Sequence, residues 1–419
     1  MRNRLIKDTI SATMMRPHGR IVLVTGARQT GKTTLLRNLL PDFQYISFDD
    51  PFVRSQFASM SARDLATRYP KAILDEVQKA PSMFDVVKAA YDADGNCRFA
   101  LSGSSQILMM QRVRETLAGR VAIFEMSPLL LTECRTEDWN SPVPVSRWMS
   151  LLADPRAPGD LLAGTTALDS DFPRQRICWE RYLDVGAMPL LWNDQANLSI
   201  AECRQWLADY SRTYLQRDLR DLVMLRDLDP FVLAQKALAL QTGGILSLAN
   251  IARDAAIAPS TASRFIRYLE QSYQIIVLRP WFANPQKRLV KSPKIHFADP
   301  GILRSVTGYE GTLPGNAFES AVVAELVKQM PFAKTNAEAF FLRTADGLEV
   351  DLLVSLPQGY IAIEIKHATA VSRHDARHLL AIDSILDKPV LCRMVVSNSP
   401  HVLQFTPDTF AIPAAWLLG

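Results

Sequence analysis

Residues 20–40 read RIVLVTGARQTGKTTLLRNLL: an apolar run, a loop bounded by glycines and a helix-forming run in direct succession. Gly26, Ala27, Arg28, Gln29, Thr30, Gly31, Lys32 and Thr33 satisfy GxxxxGK[ST] without deviation, with a strand predicted before them and a helix after. Glycine at 26 and 31 lets the backbone curl until successive N–H groups face one phosphate, and the helix beginning near Thr33 and Thr34 turns its positive end the same way. Lys32 is expected to neutralise β- and γ-phosphates, and Thr33 to ligate Mg²⁺.

Working outward, IVLVTG (21–26), FQYISF (43–48), AILDEV (72–77), RFALSG (98–103) and VAIFEM (121–126) alternate with helical patterns, the signature of a parallel sheet in an α/β fold. AILDEV ends in Asp75 and Glu76, carboxylates at the strand tip where parallel sheets place their ligands. Asp75 is expected to hold Mg²⁺, through a water, and Glu76 to orient or deprotonate the attacking water. RFALSG ends in Ser102, with Ser104 and Ser105 just beyond it. A hydroxyl there either senses a γ-phosphate or caps a helix. Arg120, before the last strand, is a candidate transition-state cation supplied to a neighbouring copy, and Arg28 is a candidate within the loop.

The 419 residues suffice for several domains, and 48% apolar with 21% charged residues describes a folded chain rather than a disordered one. A net charge of +4 announces no overall affinity for polyanions, so any basic surface must be local. Five cysteines without a CxxC pair indicate neither a disulfide framework nor a zinc site, which suits a reduced, cytoplasmic setting. Lys7 and Asp8 interrupt the amino-terminal stretch, so no signal peptide is expected. Apolar runs are too short for a membrane-spanning helix.

Beyond the first sheet, residues 135–177 are rich in Pro, Asp and Ser and are expected to form a linker or variable excursion. Helical spacing resumes from Cys178, with Trp206, Tyr210, Tyr214 and Leu215 on one face. LANIARDAAI, PSTASRFIRYLEQS and YQIIVLRPWF then follow in the order of a winged helix-turn-helix. Arg264, Arg267, Lys287, Arg288, Lys291 and Lys294 make a local basic cluster suited to DNA phosphates. From Gly315 a separate α/β domain is predicted: a helix, three strand-like runs and a helix around 376–386. Glu364 and Lys366 share one strand face, and Asp351 closes Glu-Val-Asp on the strand before. Two such carboxylates can hold Mg²⁺ for phosphodiester hydrolysis, with the lysine positioning water. His367 reads as a packed or surface residue.

GARQTGKTTLL, FDDPFVR, ILDEVQKAP, LSGSSQILM, LAGRV, EMSPL, YLQRDL and FE…EVDLLV…IEIK together resemble the bacterial and archaeal AAA-type ATPases that carry a carboxy-terminal domain of unknown function. The resemblance spans most of the chain except about 135–175. It implies an AAA-type P-loop ATPase domain over 1–134, a helical and winged-helix domain over 178–300, and a domain over 311–419 similar to PD-(D/E)XK nucleases. Glu319 of NAFES then takes the place of that signature's helical acid, and Val350 stands where the signature has proline. ATP and Mg²⁺ as cofactors, DNA as partner and a homo-oligomer are the expectations. Lys32, Glu76 and Arg120 are the catalytic candidates of one site, and Asp351, Glu364 and Lys366 those of the other. The alternative is a nucleotide-switched binding protein whose last domain only docks a partner.

Overall fold

The computed structural model describes residues 1–16, 20–103, 113, 115–223, 228–284, 286 and 291–419. Five parallel strands, β1 (Ile21–Thr25), β2 (Gln44–Ser47), β3 (Lys71–Asp75), β4 (Arg98–Gly103) and β5 (Val121–Glu125), form a sheet in the order β2-β3-β4-β1-β5. All five residues of β1 are buried, and their alternation explains why. Ile21 and Leu23 join the core on one face with Phe48, Phe84 and Phe99, whereas Val22 and Val24 join Leu35, Leu36 and Met126 on the other. With β1 between β4 and β5, the loop after Thr25 opens at the same sheet edge as Asp75 and Ser102.

Residues 135–177, expected as a linker, are folded into the core. Trp148, Leu151 and Leu152 lie on the helix Arg147–Ala153 at i, i+3 and i+4, and all are buried with Leu162. The Ser146 hydroxyl caps this helix and donates to Gln329 Oε1 at 2.5 Å, while Trp148 Nε1 donates to the Leu326 carbonyl at 2.9 Å. A seven-residue helix shows too few turns for its period to stand out among prolines.

The middle region carries helices Phe172–Val185, Ile200–Val223, Asp229–Leu240, Leu248–Asp254 and Pro259–Gln271, then the antiparallel pair β6 (Ile275–Pro280) and β7 (Lys294–Phe297). The side chains of Tyr214 and Leu215 lie outside the described residues. In the last region β8 (Glu338–Arg343), β9 (Glu349–Leu356) and β10 (Gly359–Lys366) form an antiparallel meander, and β11 (Val390–Ser397), β12 (Leu403–Thr406) and β13 (Thr409–Pro413) complete it. The sheet order is β12-β13-β11-β10-β9-β8-β6-β7, so the middle region's hairpin extends it. β6 pairs parallel with β8 through Arg279 and Pro280, and Trp281 N donates to the Phe341 carbonyl at 2.7 Å. The helix Gly315–Gln329, with ten buried residues, lies across this sheet.

The helix expected around 376–386 is instead one 3-10 turn, Arg373–Ala376, followed by further turns. Arg393 Nε takes the Leu379 carbonyl at 2.8 Å, an acceptor a continuing helix would need. The five cysteines are free thiols. Among the described residues no helix is long and apolar enough to cross a membrane.

Candidate functional site

A cavity of about 720 Å³ lies at the carboxyl edge of the first sheet. The loop from Arg28 to Thr34 lines it together with Glu76. Gly26 holds φ +148°, and a Cβ there would meet the Met126 carbonyl oxygen at 2.1 Å, so only glycine fits. Lys32 Nζ donates to the carbonyls of Gly26 (2.9 Å) and Ala27 (2.7 Å), placing its charge inside the loop's curve. Thr30 Oγ1 pins the loop by donating to the Ala27 carbonyl at 2.8 Å.

Asp75 is 6% exposed and gathers three hydroxyls. Thr33 Oγ1 donates to its Oδ2 at 2.9 Å, Tyr45 Oη to the same oxygen at 2.8 Å, and Ser102 Oγ to Oδ1. Burial and the Asp75 charge push the Tyr45 phenol up to about 12, so it remains a donor at neutral pH. A threonine hydroxyl beside a carboxylate is a hard-oxygen set that fits Mg²⁺, whose other ligands would be phosphate and water. Glu76 sits in the left-handed region at φ +53°, and the Gln78 side-chain amide donates to its carboxylate. The tyrosine was not visible in the sequence, since FQYISF carries no mark of a carboxylate partner.

Ser102, a candidate for sensing a phosphate, is a partner of Asp75. Ser104 and Ser105 lie outside the described residues. Arg28 lines the cavity. Arg120 makes a two-pronged pair with Asp92 (2.8 and 3.1 Å) and is not among the residues lining it.

Asp351 on β9, Glu364 on β10 and Glu319 on the helix Gly315–Gln329 do come near one another, but a cation from the chain itself lies among them. Lys294 Nζ, 3% exposed, is 2.6 Å from Glu349, 3.2 Å from Glu319 and 3.3 Å from Asp351. Asp351 spends its second oxygen on the Ile365 N–H at 2.9 Å, and Glu364 pairs with Lys366 at 2.6 Å. Burial, reinforced by Asp351, raises Glu319 to about 8 and Glu364 to about 7. Glu364 Oε2 is buried without a hydrogen-bond partner. Burial alone would lower Lys294, but the carboxylates outweigh it and hold its ammonium charged.

These residues do not fit a divalent ion. Among the described residues no group of three or more His, Cys, Asp or Glu is arranged to hold a metal. At the metal site expected at Glu319, Asp351 and Glu364, the Lys294 ammonium instead holds oxygens of Glu319 and Asp351. Lys294 also leaves the expected basic cluster. Arg264, Arg267 and Lys291 are exposed, and Lys287 and Arg288 lie outside the described residues. His367 stacks on Phe318 at 4.7 Å, a packed residue.

Residues 18–135 match the family described as AAA domain, and this segment is an AAA-type P-loop domain of the ATPase class. Residues 178–312 match a domain of unknown function (DUF8612), and residues 314–417 another (DUF4143). The chain is similar to the uncharacterized proteins Rv2008c of Mycobacterium tuberculosis and Mb2031c of Mycobacterium bovis. Each is 26% identical over 408 residues, which cover 95% of this chain and 81% of the relative. Among solved structures it is similar to the Walker-type ATPase paby2304 of Pyrococcus abyssi at 15% identity and a TM-score of 0.44, over 72% of this chain and 95% of that one.

Proposed function

We propose that the chain is a Mg²⁺-dependent ATP-hydrolysing switch whose carboxy-terminal domain docks a partner and does not cleave nucleic acid. The observation that carries the ATPase reading is Asp75 bonded to Thr33 beside a loop whose Lys32 points inward. Bound Mg²⁺ would polarise the terminal phosphate between Thr33 and Asp75. Lys32 exchanges its two carbonyl partners for phosphate oxygens, and Tyr45 and Ser102 hold Asp75 in orientation. Glu76, held by Gln78, aims the attacking water and takes its proton. Phosphate release from ATP, measured with and without Mg²⁺ and with Lys32→Ala, tests this. Tight ATP binding by Lys32→Ala would sink it.

The docking half rests on Lys294, whose ammonium holds oxygens of Glu319 and Asp351 that hydrolysis would need. A second reading, in which the switch acts on DNA through the middle region, is supported by the helix–helix–hairpin order and by exposed Arg264 and Arg267 on the helix Pro259–Gln271. Retention of duplex DNA with a steep salt dependence, lost in the Arg264→Ala, Arg267→Ala double variant, tests it. DNA cleavage that depends on Asp351 would return the last domain to the nuclease class.

A further inference from the structure

The first half of the phosphate loop is held at two points by tyrosine hydroxyls from outside its own domain. At its entry Thr25 Oγ1 lies 2.6 Å from Tyr273 Oη. Three residues further on, Tyr210 Oη donates to the Arg28 carbonyl at 3.3 Å. Thr25 is 1% exposed and immediately precedes Gly26, and its own carbonyl takes the Met126 N–H at 2.7 Å. Neither tyrosine is loosely placed. The Tyr210 ring stacks on Trp206 at 5.3 Å on the helix Ile200–Val223. Tyr273 occupies the turn between the helix Pro259–Gln271 and β6 at φ +63°, a backbone region that side chains other than glycine enter at a cost of about 1–3 kcal/mol.

We infer that Tyr273 and Tyr210 are positioning residues of the phosphate loop, through which the nucleotide site and the helical middle region sense each other. The inference rests on the ATP-binding reading. A phosphate that draws the ammonium away from the Gly26 and Ala27 carbonyls takes a partner from each, and the peptides from 26 to 28 readjust. Gly26 cannot shift toward Met126, whose carbonyl already closes that side. The readjustment is therefore directed along the chain toward Thr25 and Arg28, the two points the tyrosines hold. From Tyr273 the displacement enters a turn with β6 on one side, a strand fixed in the eight-stranded sheet, and a helix bearing exposed arginines on the other. By linkage, whatever favours one position of that turn alters nucleotide affinity by the same factor.

The test uses the full chain with Tyr273→Phe, Thr25→Val, both together, Thr25→Ser and Tyr210→Phe. Steady-state ATP hydrolysis and hydrogen exchange over residues 268–280 with and without Mg²⁺–ATP are measured. Tyr273→Phe and Thr25→Val should each raise KM about fivefold, the weight of one hydrogen bond, with kcat held within about twofold. The double variant should be no worse than either single one, and Thr25→Ser, which restores the hydroxyl, should return KM to the wild-type value. Tyr210→Phe should also raise KM. Mg²⁺–ATP should change exchange in the turn 272–274 of the wild type and not of Tyr273→Phe. Additive KM effects, an unchanged KM with a lowered melting temperature, or an exchange response that survives in Tyr273→Phe would overturn the inference. A wild-type chain that binds no ATP would instead remove the reading beneath it.

Discussion

Lys294 on β7 and Glu349 on β9 meet at 2.6 Å, inside a sheet that joins two regions the sequence presents as separate. The Lys294 ammonium lies among Glu319, Glu349 and Asp351, and Arg343 adds a second, more exposed cation 3.7 Å from Glu349. Burial, reinforced by the Asp351 charge, favours the protonated form of Glu319.

Removing the ammonium should therefore be costly. Lys294→Met leaves Asp351 and Glu349 without their buried ammonium, and breaking a buried pair in this way costs about 3–5 kcal/mol. Denaturant unfolding of the full chain measures it. A loss below about 1 kcal/mol, the scale of an exposed pair, would show that the cluster is solvated.

The same cluster sets a pH dependence. Glu319 is raised from 4.5 to about 8 and Glu364 to about 7, so the folded chain binds these protons more tightly than the unfolded one. Their contribution is full below pH 4.5 and is lost as pH rises through 7 and 8. His296 acts the other way at lower pH, because burial, with Lys294 nearby, depresses it from 6.5 to about 3. Above pH 6.5 the opposing effect of His296 fades as its unfolded form loses the proton, so between pH 7 and 8 the melting temperature should fall with rising pH. Glu319→Gln should flatten that slope. An unchanged slope in the variant would reject the assignment.

At the nucleotide site, Glu76→Gln should keep ATP affinity and lower kcat by about 10²-fold or more, the usual weight of a general base. Equilibrium binding of ATP alongside single-turnover hydrolysis separates the two effects. A variant that turns over at the wild-type rate would move the base elsewhere.

Arg120 and Asp92 form a pair at the surface, and exposed pairs hold their partners weakly. If a neighbouring copy borrows this arginine, kcat per chain should climb with protein concentration. Arg120→Ala should then lower it by about 10³-fold or more while sparing ATP affinity, the weight of an arginine finger. Turnover independent of concentration and unaffected by Arg120→Ala would leave the residue as the partner of Asp92 alone.

The loop from Gly26 to Thr33 and the carboxylate of Asp75 were legible because each is local: a backbone curl and a strand tip write themselves into a few consecutive residues. Tyr45, Tyr210 and Tyr273 were not, since a hydroxyl that reaches across the fold leaves no spacing behind. Lys294 was misread for a related reason. In QKRLVKSPK it looks like one more surface cation, and only the pairing of β7 with β6 and the approach of β9 make it internal. The four residues KIHF, all buried, were the one faint signal that this lysine begins a core strand.

The strands β6 and β7 precede the second family boundary in sequence, yet they finish the sheet that follows it. Two segments that sequence comparison separates near residue 313 are thus halves of one hydrogen-bonded object. Recombination that cut there would strand β8 without its neighbour and leave Lys294 apart from its carboxylates. A fragment meant to keep the last sheet whole must therefore begin upstream of β6.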